Sequence, residues 1–390
     1  MVDYVITTIE ILISLFLIWL IRTFPKSMGF ICLGVAYWMR GMLLSNSSDG
    51  ANIIGKKHMA AAIFAPGVGE HGVKVENIPV PGYTTSEILI KVNAAGLNPS
   101  NYKMNPAKLP FVRHARGGKH VIGYDVEGTV LAVGADKECH SFAVGNNIYG
   151  FGSGSIAEYA VVGCSRAGLS PKSLTSTQTA GLPVVALTSQ EAWDRTLLSK
   201  DQSVLVIGAS GGCGTFGVTL AKALGAHVTG ICSTRNIDLV TNLGADAVVD
   251  YKKQSEMNKL IAKGQQFDVI YDTVTSFAPE DPDYEPAMRP LLKPGGKYVA
   301  INGSPMDWTR GIWEKILFSK LGIQIQRKDY DLFLLTPTTE KLNRLAKLID
   351  EGIVPPTIID TTYSLTEANL NAAFTFIKSR RVVGKICFEF

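Results

Sequence analysis

The stretch from Ser203 to Ala223, SVLVIGASGGCGTFGVTLAKA, restricts the fold of this chain more than any other. It opens with Ser203 and an apolar run, Val204 to Ile207, which reads as a short strand buried on both faces, as in a parallel sheet. A glycine-rich turn follows, Gly208-Ala209-Ser210-Gly211-Gly212-Cys213-Gly214, and Phe216, Val218, Leu220 and Ala221 then continue into a helix. Strand, glycine turn and helix in that order make a site for phosphate. Positions without side chains let the backbone approach a pyrophosphate, and the helix N-terminus offers unpaired N–H groups and a partial positive charge. A glycine turn alone would equally suit a tight connection; the strand before it and the helix after it favour binding.

The chain has 390 residues, enough for two or three domains, and 46% hydrophobic residues, ample for packed cores. The net charge of +4 comes from scattered lysines and arginines without a basic run, so nucleic-acid binding is not expected. The six cysteines, at 32, 139, 164, 213, 232 and 387, show no C-x-x-C spacing, which argues against a zinc ribbon and a disulfide framework and fits a reducing compartment.

The N-terminus reads differently. Tyr4 to Ile21 is an eighteen-residue, mostly apolar run with one charge, Glu10. As a helix it would span about 27 Å, close to the hydrocarbon thickness of a bilayer. A second apolar segment, 28–39, is too short to cross unaided and suits the interface, with Tyr37, Trp38 and Arg40 at its polar end. The acidic start argues against a secretory signal, and the lack of an Arg- and Ser-rich amphipathic pattern against a mitochondrial presequence. A retained anchor over residues 1–45 is expected, followed by a linker over 46–56. Arg22 and Lys26 after the span put the remaining chain on the cytosolic side, with a mitochondrial membrane as the alternative. Glu10 in lipid points to a protein partner or an interfacial position.

The wording GASGGCGTFGVTLAKALGA, with Ala209-x-x-Gly212-x-Gly214 and the extra Gly211 in place of G-x-G-x-x-G, resembles the zinc-free quinone oxidoreductases of the medium-chain dehydrogenase/reductase superfamily. The resemblance runs from about Lys57 to Phe390. It implies an α/β chain with a GroES-like β domain over 57–182, a Rossmann doubly wound sheet over 183–332, and a return to the first domain over 333–390. Gly96-Leu97-Asn98-Pro99-Ser100-Asn101, Val121 to Gly128 and Val144 to Gly150 are the matching segments of the β domain. Zinc-dependent members place Cys where this chain has Asn98 and His where it has Tyr124; neither replacement is a normal zinc ligand, so no metal is expected. Without a Lewis acid, the acceptors that fit are quinones and enones, whose reduced products are delocalised. Asn98 and Tyr124 would line the vacated pocket. Tyr102, Lys103 and Tyr124 are candidate proton donors, with solvent an equal alternative. Asn101 and Asn146 stand where the family usually has Asp and read as backbone anchors, and Glu158 as part of a structural turn.

On the cofactor side, His227 to Cys232 reads as the second strand. An NAD site would usually carry Asp or Glu at its end, but Ser233-Thr234-Arg235-Asn236 stands there. Hydroxyls and a guanidinium suit a 2′-phosphate, hence NADPH. By resemblance Tyr251 packs near the adenosine phosphate, and Thr188 with Ile301, Asn302 and Gly303 borders the nicotinamide. The expected activity is hydride transfer from NADPH to a quinone or enone. The alternatives are an enoyl-thioester reductase and a non-catalytic, nucleotide-binding accessory subunit of a membrane complex. A homodimer through the cofactor-domain sheet edge is the family analogy.

Overall fold

The computed structural model describes residues 50–65, 67–103, 120–264, 266–276, 282–303, 307–308 and 329–390. The expected anchor over residues 1–45 lies outside them, as do residues 104–119. Among the described residues no helix is long and apolar enough to cross a membrane.

Strands β1 (His58–Phe64) and β2 (Val73–Pro79) form an antiparallel hairpin. Strands β3 (Glu87–Leu97), β4 (Asp125–Val133), β5 (Asn147–Ser153) and β6 (Tyr159–Leu169) follow as a meander. Then come β7 (Ser203–Ile207), β8 (His227–Cys232), β9 (Ala247–Asp250), β10 (Phe267–Asp272), β11 (Leu292–Ala300) and β12 (Tyr330–Leu332), and last β13 (Ile359–Ser364) and β14 (Lys385–Glu389). Two six-stranded sheets result. One has the order β13-β14-β3-β4-β5-β6 and curls so that β3 also pairs with β6; the other has the order β12-β11-β10-β7-β8-β9. All pairings in the second sheet are parallel. This is the GroES-like plus Rossmann-type architecture, with the C-terminal strands returning to the first sheet.

The second sheet follows from its sequence. Val204, Leu205, Val206 and Ile207 of β7 are all fully buried because helices cover both faces. The helix Gly212–Ala223 lies against one face with Phe216, Val218 and Leu220 in the core. Gly217 permits this contact, since a Cβ there would sit 3.0 Å from the Tyr271 ring. Strand β10 ends at Asp272, two residues before the apolar pattern does, because the Asp272 carboxylate accepts from the N–H groups of Val274 and Thr275 and turns the chain. The amphipathic pattern at 339–354 becomes the helix Thr339–Asp350, with Leu342, Leu345 and Ile349 buried and the Thr338 hydroxyl capping its start.

Two expectations need correction. Residues 50–54, read as part of a linker, form a helical turn; Ala51 and Ile54 are apolar and pack on the Met59–Ile78 cluster, so this segment belongs to the β domain. Cys139 and Cys164, which the spacing gave no reason to join, are paired in a disulfide with Cα atoms 5.1 Å apart. Both are held against one short segment: Asp136 N–H donates to the Thr85 carbonyl and Cys164 N–H to the Ser86 carbonyl. A separation of 25 residues hides this pairing from any local pattern.

Candidate active site

The turn after β7 lies at the point where strand order reverses, between β7, β8 and β10, the place where open parallel sheets bind ligands. Gly208 has φ +79°, and a Cβ there would meet Thr273 and Val274 at 2.6 Å. A Cβ on Gly214 would come within 2.0 Å of the Gly208 carbonyl oxygen, so the helix can start this close to the turn only with glycine. Gly211 differs: its Cβ would find only the Gly208 carbonyl oxygen, at 3.4 Å. Gly211 is also the N-cap of the helix, and no side chain caps it. The first-turn N–H groups from Gly212 to Gly214 are therefore left for an anion. The turn fits a dinucleotide pyrophosphate.

The rest of the predicted cofactor set surrounds this turn unevenly. Ala209 is buried beneath it, and the Ser210 hydroxyl accepts from the Asn236 amide at 2.8 Å. Cys213 opens the helix; burial pushes its thiol up to about 12, so it stays neutral. Thr188 is buried on the linking helix Pro183–Thr196, but its neighbour Ser189 makes the contact to the turn, donating to the Cys213 carbonyl at 2.7 Å. The Ser189 hydroxyl also meets the Tyr271 hydroxyl at 3.2 Å. Ile301 N–H donates to the Asp272 carbonyl at 3.2 Å, which holds the Ile301–Gly303 segment at the carboxyl ends of the strands. The Asn302 side-chain carbonyl accepts from Gly303 N–H and from the Trp308 indole.

At the end of β8, Ser233 is half-buried and Thr234 and Arg235 are exposed. Thr234 donates to the Asp250 carboxylate at 2.6 Å, the first cause that holds this carboxyl below its usual range. One guanidinium nitrogen of Arg235 donates to the Arg381 carbonyl, leaving the rest of its fork open to solvent. Tyr251 is exposed, with the Lys252 ammonium 5.1 Å from its ring centre.

On the catalytic side, strand register assembles the site. In the antiparallel pair β14–β3, Ile386 stands opposite Leu97, so the next positions, Lys385 and Asn98, come level. Strand β4 places Asp125 opposite Gly96 on the other side, where a larger residue than glycine would strike Asp125 and the Ala180 carbonyl. Three side chains converge. Lys385 Nζ donates to Asn98 Oδ1 at 2.6 Å and to Asp125 Oδ2 at 2.8 Å, and Asn98 Nδ2 donates to the same Asp125 oxygen at 2.9 Å. Asp125 Oδ1 accepts from Val184 N–H at 2.8 Å, at the start of the linking helix. Exposures of 1% for Asn98, 0% for Asp125 and 3% for Lys385 make this a dry cluster. Burial pushes the Asp125 carboxyl up against the opposing pull of Lys385.

The cluster meets the cofactor turn directly. Gly384 N–H donates to the Ser210 carbonyl at 3.1 Å, and Gly384 forms a parallel bridge with Gly211. Tyr102 is half-buried on the short helix Pro99–Lys103 and packs on the catalytic core; Tyr124 is half-buried, next to Asp125. Asn101 and Asn146 anchor backbone, accepting from Asn98 N–H at 2.7 Å and Ala143 N–H at 2.9 Å. Glu158 is structural, accepting from Ala60 N–H and pairing with Lys56. Sequence reasoning missed Asp125, Lys385 and Gly208. A charged residue just before the apolar run Ile386–Phe388, and an aspartate opening a strand, were the available signals.

The amide of Asn98 beside an ammonium is not a zinc-ligand set, and among the described residues no group of three His, Cys, Asp or Glu could hold a metal.

The sequence profile of the alcohol dehydrogenase GroES-like domain matches residues 84–172, and that of a zinc-binding dehydrogenase domain matches 243–387. A chloroplastic quinone-oxidoreductase from Triphysaria versicolor is 30% identical, with 86% of this chain and 99% of that protein covered. An Arabidopsis thaliana chloroplastic NADPH-dependent alkenal/one oxidoreductase is 29% identical over 85% of this chain and 79% of its own length. The solved structure of the quinone oxidoreductase from Coxiella burnetii superposes with a TM-score of 0.70 at 26% identity, covering 86% of this chain and 100% of that one. With its turn, its two sheets and these relatives, the chain belongs to the medium-chain dehydrogenase/reductase superfamily, whose fold binds NAD(P)H, and its relatives are quinone-oxidoreductase-like.

Proposed function

We propose that this chain is a zinc-independent, NADPH-dependent oxidoreductase that passes hydride to a quinone or an α,β-unsaturated carbonyl. The observation that carries the reading is the junction at Gly384–Lys385: one residue joins the pyrophosphate turn, and the next binds Asn98. Cofactor and acceptor sites are thereby held in one rigid unit, which supplies the orientation that hydride transfer needs. When bound, the reduced nicotinamide supplies the hydride.

The chain's own residues divide the remaining work. Ala209 to Gly214 hold the pyrophosphate. Ser233, Thr234 and Arg235 face the 2′-phosphate, with Tyr251 at the adenosine rim. Thr188 and Ile301 to Gly303 wall the nicotinamide. Asn98 donates to the acceptor oxygen, and Tyr102 and Tyr124 stand nearby as proton donors. The ammonium of Lys385 against Asn98 leaves this site to work without zinc. The similarity to proteins named as quinone and alkenal/one oxidoreductases supports the acceptor class. The apolar run at 4–21 supports a membrane anchor from sequence alone, with the enzyme on its cytosolic side.

The test is an NADPH-oxidation screen on the full chain with quinones, enones and an acyl-thioester, NADH run in parallel. Turnover with quinones or enones and a preference for NADPH are expected. Saturation of the thioester alone would move the protein to the enoyl reductases. Tight NADPH binding without turnover would make it an accessory subunit, and equal use of both cofactors would remove the role given to Arg235.

A further inference from the structure

We propose that Ser189 is a positioning residue for the cofactor: its hydroxyl, aligned by the Tyr271 hydroxyl, polarises the Cys213–Gly214 peptide and strengthens the Gly214 N–H as a donor to the cofactor's pyrophosphate. This rests on the reductase reading above for the identity of the anion. The Cys213 carbonyl and the Gly214 N–H are the two ends of one peptide unit. On the N–H end, Gly214 is the third residue of the helix Gly212–Ala223, whose N-cap, Gly211, has no side chain. The N–H groups that a capping oxygen normally takes, at the second and third helical positions, belong here to Cys213 and Gly214. A pyrophosphate oxygen takes the place of that cap. On the carbonyl end, the Ser189 hydroxyl arrives from the linking helix and donates to Cys213 at 2.7 Å.

Hydrogen counts fix the direction of this contact. A serine hydroxyl carries one hydrogen. Ser189 meets two carbonyl oxygens, Cys213 at 2.7 Å and, within its own helix, Val185 at 3.1 Å, and both can only accept. A helix serine that satisfied only itself would stop at Val185; here the shorter bond crosses to the cofactor turn. With the serine hydrogen committed to carbonyls, Tyr271 is the donor in the 3.2 Å contact between the two hydroxyls. The run from Tyr271 through Ser189 to the Cys213 carbonyl therefore points one way and ends on the peptide at the helix start. Hydrogen bonds in such a run polarise one another, and the pull on a carbonyl makes the N–H of the same peptide a better donor. Ser189 and Tyr271 are both 0% exposed, so no water competes. The tyrosine ring is also locked: Trp193 meets it edge-on with ring centres 5.1 Å apart, and Gly217 leaves it room on the helix side. The donors are thus aligned before the cofactor arrives, as a preorganised anion site requires.

The experiment compares the full-length chain with Ser189→Ala and Tyr271→Phe. Cys213–Gly214 is the one Cys-Gly step in the sequence, so cysteine labelled with ¹³C at the carbonyl and glycine labelled with ¹⁵N give a single carbonyl–amide NMR signal from this peptide. Three probes are titrated: NADPH, inorganic pyrophosphate, and adenosine 2′-monophosphate, which has no pyrophosphate. Ser189→Ala is expected to move the signal of the free chain upfield in both nuclei. It is also expected to weaken NADPH and pyrophosphate binding about tenfold while adenosine 2′-monophosphate stays within about twofold of the parent. Tyr271→Phe, which keeps the ring, is expected to move the signal less in the same direction and to weaken pyrophosphate binding about threefold. A Ser189→Ala chain that binds NADPH and pyrophosphate as the parent does overturns the proposal. So does one that loses adenosine 2′-monophosphate to the same extent, because the site has then simply loosened. If Ser189→Ala does not fold, Tyr271→Phe decides in the same way: unchanged pyrophosphate binding overturns the relay, and a selective loss supports it. A parent chain that shows the expected binding pattern but passes hydride to no quinone or enone removes the reductase reading and leaves the role of Ser189 standing. A parent chain that binds neither NADPH nor pyrophosphate overturns both.

Discussion

The cofactor turn and the Asn98 cluster touch at Gly384 and Lys385, but they are made of opposite materials. The turn is backbone. Gly208 and Gly214 are there because any side chain would collide with Thr273, Val274 or the turn's own carbonyl. The cluster is side chains: an ammonium, an amide and a carboxylate, each nearly unexposed and each bonded to the other two. A backbone site is sensitive to volume and indifferent to charge, whereas a side-chain site in a dry interior is the reverse. The two halves of one active site should therefore fail in different ways.

The largest expected effect tests the charge side. Asp125→Ala leaves the Lys385 ammonium buried without its counterion, and urea unfolding should show a loss of about 3–5 kcal/mol. Lys385→Met added to that variant should return much of the loss, because the stranded charge is gone. A loss below about 1 kcal/mol would mean that water reaches the cluster. On the volume side, Gly214→Ala forces a methyl to within 2.0 Å of the Gly208 carbonyl and should cost about 1–3 kcal/mol in the same assay. Gly211→Ala sharpens the contrast. Its methyl has room in the folded chain, so stability should change by less than about 0.5 kcal/mol, while NADPH binding weakens about tenfold because that methyl narrows the pyrophosphate cradle. A Gly211→Ala chain that binds NADPH normally would take the cradle away from this position.

The smallest effect is one of pH. Glu127 on β4 is 2% exposed, one of its carboxylate oxygens has no partner, and burial pushes its carboxyl above the ordinary range. A folded-state pKa above the unfolded one means that the folded chain holds more protons in the window between them. Stability therefore falls as pH rises from the ordinary glutamate range through the raised value. Glu127→Gln should flatten that part of the stability profile and should be the more stable chain at neutral pH. Parallel profiles for the two chains would show that Glu127 is already charged at no cost.

The same contrast explains what could be read in advance. The turn occupies consecutive positions, so its strand, glycines and helix could be recognised together, and β7 and β8 fall where the apolar runs put them. Asn98 stood out because it replaces a residue the superfamily uses for metal. Its partners did not, because Asp125 and Lys385 lie 27 and 287 residues away and meet it only through the β14–β3 and β3–β4 registers. The Cys139–Cys164 pairing was hidden for the same reason. Ser189 on the linking helix was not singled out, although its hydroxyl holds the turn; consecutive helix positions point about 100° apart, and no pattern in that stretch fixes which of them faces the turn.

The central claim is that a nicotinamide held by the glycine turn is aimed at an acceptor beside Asn98. NADPH carrying deuterium at C4 of one ring face, incubated anaerobically with the full-length chain and an enone, tests it most directly. The account predicts that one stereoisomer of the labelled cofactor delivers its deuterium to the β-carbon of the saturated ketone. Deuterium lost to water, or delivered equally from both faces, would contradict it.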